Sequence, residues 1–220
     1  MKEKLSKEFI INLSQMKKEP SWMLDFRLIS YEKFLELDNP SFGPKLDINF
    51  DDIYYYKKVG ETTSKWDEVN KNVKQVFDDL GVIHAEEKYL CGVSNQFESE
   101  VVYHNTKNDI KEGAIFLSTD AALQKFPGMF NKYVNNLVKY DENKYTALNS
   151  AVLNGGTFIY IPPHTKLDRP LQSYFRINSK NMGQFERTII VVDEGSELHY
   201  MEGCTAPTYT SDSLHAAVVE

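Results

Sequence analysis

The sequence predicts an α+β protein, in which a helical and mixed region over residues 1–150 is followed by a β-rich region over 151–220. Three observations carry that expectation. Apolar residues recur at helical spacing in the first third of the chain. After Asn154 the pattern changes to strand-sized apolar pieces separated by Gly, Pro, Asn and Asp. None of those pieces is joined to the next by a two-residue Asn-Gly or Asp-Gly turn, and they recur roughly every ten to seventeen residues. Such spacing suits the coils of a β-solenoid about as well as a sandwich.

Taken in order, "SKEFIINLSQMKKEP" places Phe9, Ile10, Leu13 and Met16 on one helical face, and Pro20 ends it. In "SWMLDFRLISYEKFLEL", Ser21 is a candidate cap and Met23, Phe26, Leu28, Phe34 and Leu35 form the apolar stripe. A loop-rich stretch near 38–65 mixes Pro, Gly, Asp and Tyr without a period. "KWDEVNKNVKQVFDDLG" resumes a helix on Val69, Val73, Val76 and Leu80, with Gly81 as its stop. "SEVVYHN" and "GAIFLS" read as strands, and 118–150 as helical again. "GGTFIYIPP", "LQSYFRIN", "FERTIIVVDEG", "ELHYMEGC" and "LHAAVVE" then follow as strands. The last of these has no closing turn or polar tail, so the chain reads as a fragment or as half of a larger sheet.

Composition narrows the function. Hydrophobic residues make up 41% of the chain, enough for a real core, and the formal net charge is −7 with no basic cluster. Nucleic acid is therefore not an expected partner, because phosphate binding needs concentrated Lys and Arg. No secretory signal and no run of about eighteen apolar residues is present, so no membrane association and a cytoplasmic location are expected. The chain has two cysteines, Cys91 and Cys204, which make neither a disulfide framework nor a metal-binding pair.

Strand alternation puts Leu198, Tyr200, Glu202 and Cys204 on one face and His199 on the other. Cys204 thus shares a face with an acid and not with the adjacent histidine; His215 or His164 could reach it only through the fold. On those residues alone, plain packing is the simpler reading of the thiol. In "QSYFRIN", Tyr174, Arg176 and Asn178 share a face, either solvated or turned inward as a buried cation in need of a partner. Glu186 and Arg187 read as a solvated pair, Cys91 as structural, and His84 and His104 as surface histidines. "LNGGTF" lacks a following Gly-Lys-Ser/Thr and is not a phosphate loop.

The long run from "GGTFIYIPP" through "PLQSYFRINSKNMGQFERTIIVVDEGSELHYMEGCTAP" resembles the SufB/SufD family, scaffold subunits of the SUF iron–sulfur cluster assembly machinery. "EPSWMLDFRL" and "SEVVYHN" resemble its N-terminal region, and the cysteine of "EGCTAP" points to the SufB branch. The resemblance implies a right-handed parallel β-helix core of which only the first coils are present. It implies a later β-helix stretch with further cluster ligands and a C-terminal helical domain that binds the ATPase SufC, both beyond this chain. By the same resemblance Cys204 accepts persulfide sulfur, and Arg176 and Asn178 lie on the path toward the cluster site. The expected role is a scaffold rather than an enzyme, with ATP hydrolysis on SufC. Implied partners are SufC, SufD or a second SufB, and a cysteine desulfurase with its sulfur-relay protein. A transient iron–sulfur cluster is the expected cargo, and reduced flavin is a further candidate in the complex. Two rivals stand beside this reading. One is a β-helix carbohydrate-active enzyme using Asp193, Glu194 and Glu197; the other is an interaction-only half-scaffold pairing through an open β edge.

Overall fold

A computed structural model describes residues 4–81, 89–107, 110–208 and 213–220; His84 lies outside them. Helix α1 (Lys7–Met16) starts where the Ser6 hydroxyl accepts the Phe9 N–H at 3.1 Å, and it buries Phe9, Ile10 and Leu13. Met16, expected on that face, is 47% exposed. Helix α2 (Ser21–Glu36) starts after Pro20 with no side-chain cap, so Ser21 is its first helical residue rather than its cap. The stripe of α2 also differs from expectation: Leu35 is exposed, and Arg27 is fully buried beside Met23 and Phe34.

Arg27 can be buried because every face of its guanidinium has a partner. It donates to Glu19 at 2.6 and 2.7 Å and to the carbonyls of Ala151 and Leu153 at 3.1 and 2.8 Å. Those carbonyls end helix α6 (Lys144–Val152), where orphan acceptors need a donor and a cation is favoured. A charge inside the apolar stripe thus locks α2 onto α6. Helix α3 (Lys71–Asp79) buries Val73 and Phe77, and Gly81 takes the left-handed conformation that stops it. Helices α4 (Thr119–Lys125) and α5 (Pro127–Tyr133) lie between α3 and α6 in the chain. Among the described residues no helix is long and apolar enough to cross a membrane.

Among the described residues ten strands follow in chain order: β1 (Gly92–Phe97), β2 (Glu100–Thr106), β3 (Ile115–Ser118), β4 (Thr157–Ile161), β5 (Leu171–Arg176), β6 (Gly183–Gln184), β7 (Arg187–Val192), β8 (Tyr200–Thr205), β9 (Leu214–His215) and β10 (Val218–Val219). They form two four-stranded sheets, ordered β2-β1-β5-β8 and β10-β7-β4-β3, and a pair β6-β9. The pairs β1/β5, β5/β8, β4/β7, β7/β10 and β6/β9 are parallel, but β1/β2 and β3/β4 are antiparallel. The α+β class holds, whereas the expected parallel β-helix does not: both large sheets are mixed. In the first sheet the cause is a local hairpin, whereas β3 and β4 are distant in sequence. Glu98, at φ 56°, reverses the chain between β1 and β2 without glycine or asparagine, so the hairpin carries no sequence signature.

The helices cover the sheets in sectors. Helices α1, α2 and α6 share a core with Ile53, Tyr55 and Phe185, and α4 and α5 pack on Phe158 and Ile189. Helix α3 covers β1 and β2 through Phe77, Phe97 and Tyr103. Cys91 is 3% exposed and packs with Phe116, Ile159 and Leu171, its thiol donating to the Arg169 carbonyl at 3.1 Å. It is structural, as expected.

His104 is not the surface residue anticipated. It lies in β2 with its ring 5.0 Å from that of Phe116, and burial lowers its pKa from 6.5 to about 4. The folded chain therefore keeps His104 neutral where the unfolded chain binds a proton, and stability is lost as pH falls from about 6.5 toward about 4. Denaturant titrations at pH 7 and pH 5 should differ by about 2 kcal/mol from this residue alone. In His104→Phe that difference should shrink by the same amount.

Candidate functional site

The β5/β8 ladder positions the residues singled out in the sequence. Its register pairs Phe175 with Cys204 and Arg176 with Thr205. Residues paired in a parallel ladder share a face, so Cys204 lies on the side of buried Phe175 and Ser173, and Arg176 on the opposite side. Arg176 donates to Thr205 Oγ1 at 3.0 Å and to Asn178 Oδ1 at 3.3 Å, and Tyr174 also reaches Thr205, at 3.2 Å. Arg176 and Asn178 are thus brought together, and they meet the strand of Cys204 at its neighbour rather than at the thiol.

Glu98 holds that loop. Its carboxylate is fully buried, accepts the Asn178 N–H at 3.1 Å and the Ser179 hydroxyl, and faces Lys57 at 3.4 Å. Its N–H donates to the Arg176 carbonyl at 2.8 Å, while its own carbonyl accepts Gln184 Nε2 at 2.6 Å and Gln96 Nε2 at 3.1 Å. Nothing in the sequence marked Glu98, since an isolated glutamate between two strands reads as a solvated turn.

Of the two cysteines, Cys204 is the exposed one. Its neighbours are acidic. Partial burial, then the charge of Glu186, then that of Glu202, push its pKa above the ordinary thiol value. Arg176 therefore does not activate this thiol, because it lies on the other face of the sheet. Glu202 accepts the hydroxyls of Thr188 and Tyr200, each at 2.7 Å, which fixes its carboxylate on the Cys204 side. Burial, with Glu202 beside it, raises the Tyr200 phenol pKa and keeps it a proton donor.

The expected solvated pair of Glu186 and Arg187 is two buried charges with separate partners. Both residues are fully buried. Arg187 donates to Glu220 at 2.6 Å and to Ser150 at 3.0 Å. Glu186 accepts from His215 Nε2, and its Oε2 has no hydrogen-bond partner among the described residues. Adjacent residues in a strand point to opposite sides, so a Glu-Arg dipeptide cannot pair within itself. Burial tends to lower the His215 pKa, but the bond to Glu186 and the charges of Glu186 and Glu202 outweigh it and raise it.

His164 lies elsewhere, in a turn where its N–H donates to the Glu194 carbonyl at 2.8 Å. The acids of the rival enzyme reading do not converge. Asp193, Glu194 and Glu197 are all exposed; Asp193 accepts from Tyr160 at 3.2 Å and Glu197 pairs with Lys166. Among the described residues no group of three or more His, Cys, Asp or Glu side chains is arranged to hold a metal ion.

Comparison with known proteins matches residues 61–173 to the SufBD protein N-terminal region and residues 175–220 to the SufBD core domain of SUF-system FeS cluster assembly. The chain belongs to the SufBD family. It is 55% identical over 219 residues to an iron–sulfur cluster assembly SufBD family protein of Staphylococcus aureus (strain USA300), covering 98% of this chain and 47% of that protein. It is 54% identical over 219 residues to iron–sulfur cluster assembly protein SufB of Bacillus subtilis (strain 168), with the same coverage. The chain thus spans about half the length of the curated SufBD relatives it matches, at 47%. Cys204, Glu202, Glu186 and His215 all fall within the core-domain match, as do Arg176 and Asn178.

Proposed function

We propose that this chain is the sulfur-accepting portion of an iron–sulfur assembly scaffold, with Cys204 as acceptor. One observation carries the reading: the exposed thiol of the chain sits on an edge strand inside the SufBD core-domain match. A reactive thiol has to be reachable by the donor protein, and Cys91, sealed in the core, is not. In the transfer, the Cys204 thiolate attacks the outer sulfur of a donor persulfide. The donor's S–S bond breaks, the donor leaves as a thiol, and Cys204 carries the new persulfide. The donor is a cysteine desulfurase with its relay protein.

Arg176 and Asn178 belong to the onward route. Their polar groups lie beyond Thr205, where a guanidinium stabilises an anionic polysulfide in transit. The iron–sulfur cluster is cargo, built with SufD or a second SufB, and ATP is hydrolysed by SufC. Incubation with desulfurase, relay protein and sulfur-labelled cysteine should label the wild-type chain, and Cys204→Ala should lose nearly all of the label. Equal labelling of Cys204→Ala would sink the assignment. Arg176→Ala should leave labelling of Cys204 within about twofold, because the guanidinium does not face the thiol.

A further inference from the structure

A buried side chain in the outer layer has nothing to bond. Asn95 of β1 is 0% exposed, and neither its amide oxygen nor its amide nitrogen has a hydrogen-bond partner among the described residues. Strand alternation puts it on the face of Val93 and Phe97, away from Gln96, which turns inward to accept the Gly156 N–H. On that outer face Asn95 is in register with Tyr103 of β2 and Tyr174 of β5, and helix α3 packs over the same cluster. A buried primary amide with its donors and acceptor unmet is costly, and the cost disappears once water reaches it.

Helix α3 is what keeps water out, and apolar contact alone attaches it to the sheet. Val69, Val73 and Phe77 are buried there, and the Trp66 ring lies 5.1 Å from that of Tyr103. Every hydrogen bond and ion pair that residues 65–79 make with described residues closes within 63–79. Trp66 Nε1 donates to Asp78 at 3.2 Å, Lys74 pairs with Asp67 at 2.6 Å, and Lys65 pairs with Glu68 at 3.0 Å. The segment has two defined ends. Thr63 is fastened to β2, its N–H donating to the Val102 carbonyl at 3.2 Å and its carbonyl accepting the His104 N–H at 3.0 Å. At the other end Gly81 is left-handed, at φ 69°, with nothing within 4 Å of a would-be Cβ. A groove of about 490 Å³ between the 59–63 stretch and Val69, Asn70 and Val73 leaves room beside the helix.

We propose that residues 65–80 form a lid, which lifts from the outer face of the sheet as one unit and hydrates Asn95. Apolar contacts hold it shut, and the unmet amide favours the open state, so opening takes far less than global unfolding. What lies under the lid connects to the candidate site. Phe77 sits edge-on to Tyr174 at 6.1 Å; the Tyr174 hydroxyl donates to Thr205 Oγ1 at 3.2 Å, and Arg176 donates to the same atom at 3.0 Å. Lifting α3 therefore frees Tyr174 to leave the residue next to Cys204. That connection to function rests on the sulfur-acceptor reading; the lid itself does not.

Native-state hydrogen exchange of the full chain in a urea series, read by mass spectrometry, tests the lid. In the wild type, peptides from 71–79 should exchange through an opening almost independent of urea below the unfolding transition. Peptides from β4 should instead follow the steep dependence of global unfolding. Asn95→Leu keeps a similar volume and removes the unmet groups, so it should slow exchange over 71–79 about tenfold. Exchange of 71–79 only together with β4, on the same slope, overturns the proposal. Unchanged exchange over 71–79 in folded Asn95→Leu overturns it too, since an amide already hydrated would give that result. If Asn95→Leu does not fold, the wild-type urea series decides. The measurement uses no sulfur donor, so its failure would leave the labelling result for Cys204→Ala standing, and loss of that assignment would leave the lid.

Discussion

Arg187→Met lowers folding stability by about 3–5 kcal/mol, read as a fall in the urea midpoint at unchanged slope. Arg187 is fully buried and donates to Glu220 at 2.6 Å, to the Val138 carbonyl at 2.6 Å and to Ser150 at 3.0 Å. Methionine fills comparable volume, so the loss is electrostatic: it strands the Glu220 carboxylate, 2% exposed, without its counter-ion. Glu220 also accepts four successive N–H groups, from Asn135 to Val138, at 2.8–3.2 Å. Adding Glu220→Gln to Arg187→Met should therefore recover part of the stability and not all of it. Burial raises the Glu220 pKa, but Arg187 and the backbone N–H groups outweigh it and hold it below 4.5. The sign follows: this stabilisation is full above pH about 4.5 and is lost as pH falls through the lower folded value. Arg187→Met should weaken that acid-side dependence, because the backbone N–H groups alone then oppose burial.

Gly156→Ala is expected to cost at least about 3 kcal/mol, from backbone strain and overpacking together. Gly156 sits at φ 102°, and a Cβ there would fall against the Arg187 carbonyl oxygen and within 2.6 Å of the Arg187 nitrogen. Both are backbone atoms of a strand and cannot rotate aside. The change would displace the strand that carries Arg187 and, one residue before it, Glu186. Gly128 in α5 is the control, because nothing lies within 4 Å of its would-be Cβ. Gly128→Ala should leave stability within about 1 kcal/mol of wild type. Thermal melts of the two variants test the contrast.

The paired glycines of "LNGGTF" show how far the sequence could be read. Their failure to make a phosphate loop was legible; the close approach of Arg187 that requires Gly156 was not, because it depends on a distant strand. Period and alternation served well where one element alone decides the outcome. Phe9, Ile10 and Leu13 of the α1 stripe and the stop at Gly81 were readable, as was the face shared by Cys204 and Glu202. Buried charges were not. Arg27, Glu98, Glu186 and Arg187 each look solvated in sequence, and each is buried against a hydrogen-bond partner from another segment.

Topology divided along the same line. The missing hairpin signatures left a solenoid and a sandwich equally open; in the structure β4 pairs parallel with β7 and β5 with β8. The antiparallel edges, β2 on β1 and β3 on β4, were hidden, and they turn the expected parallel β-helix into mixed sheets. The site followed suit. Alternation found the acid beside the thiol, but only the β6/β9 pairing brings His215 to Glu186.

The account turns on where sulfur lands. Incubating the chain with desulfurase, relay protein and cysteine, then weighing the two cysteine-bearing peptides, answers that directly. A mass gain of one or more sulfur atoms on the Cys204 peptide, reversed by a thiol reductant and absent from the Cys91 peptide, is the predicted result. Sulfur on Cys91, or an unmodified Cys204 peptide while the donor remains loaded and competent, would contradict it.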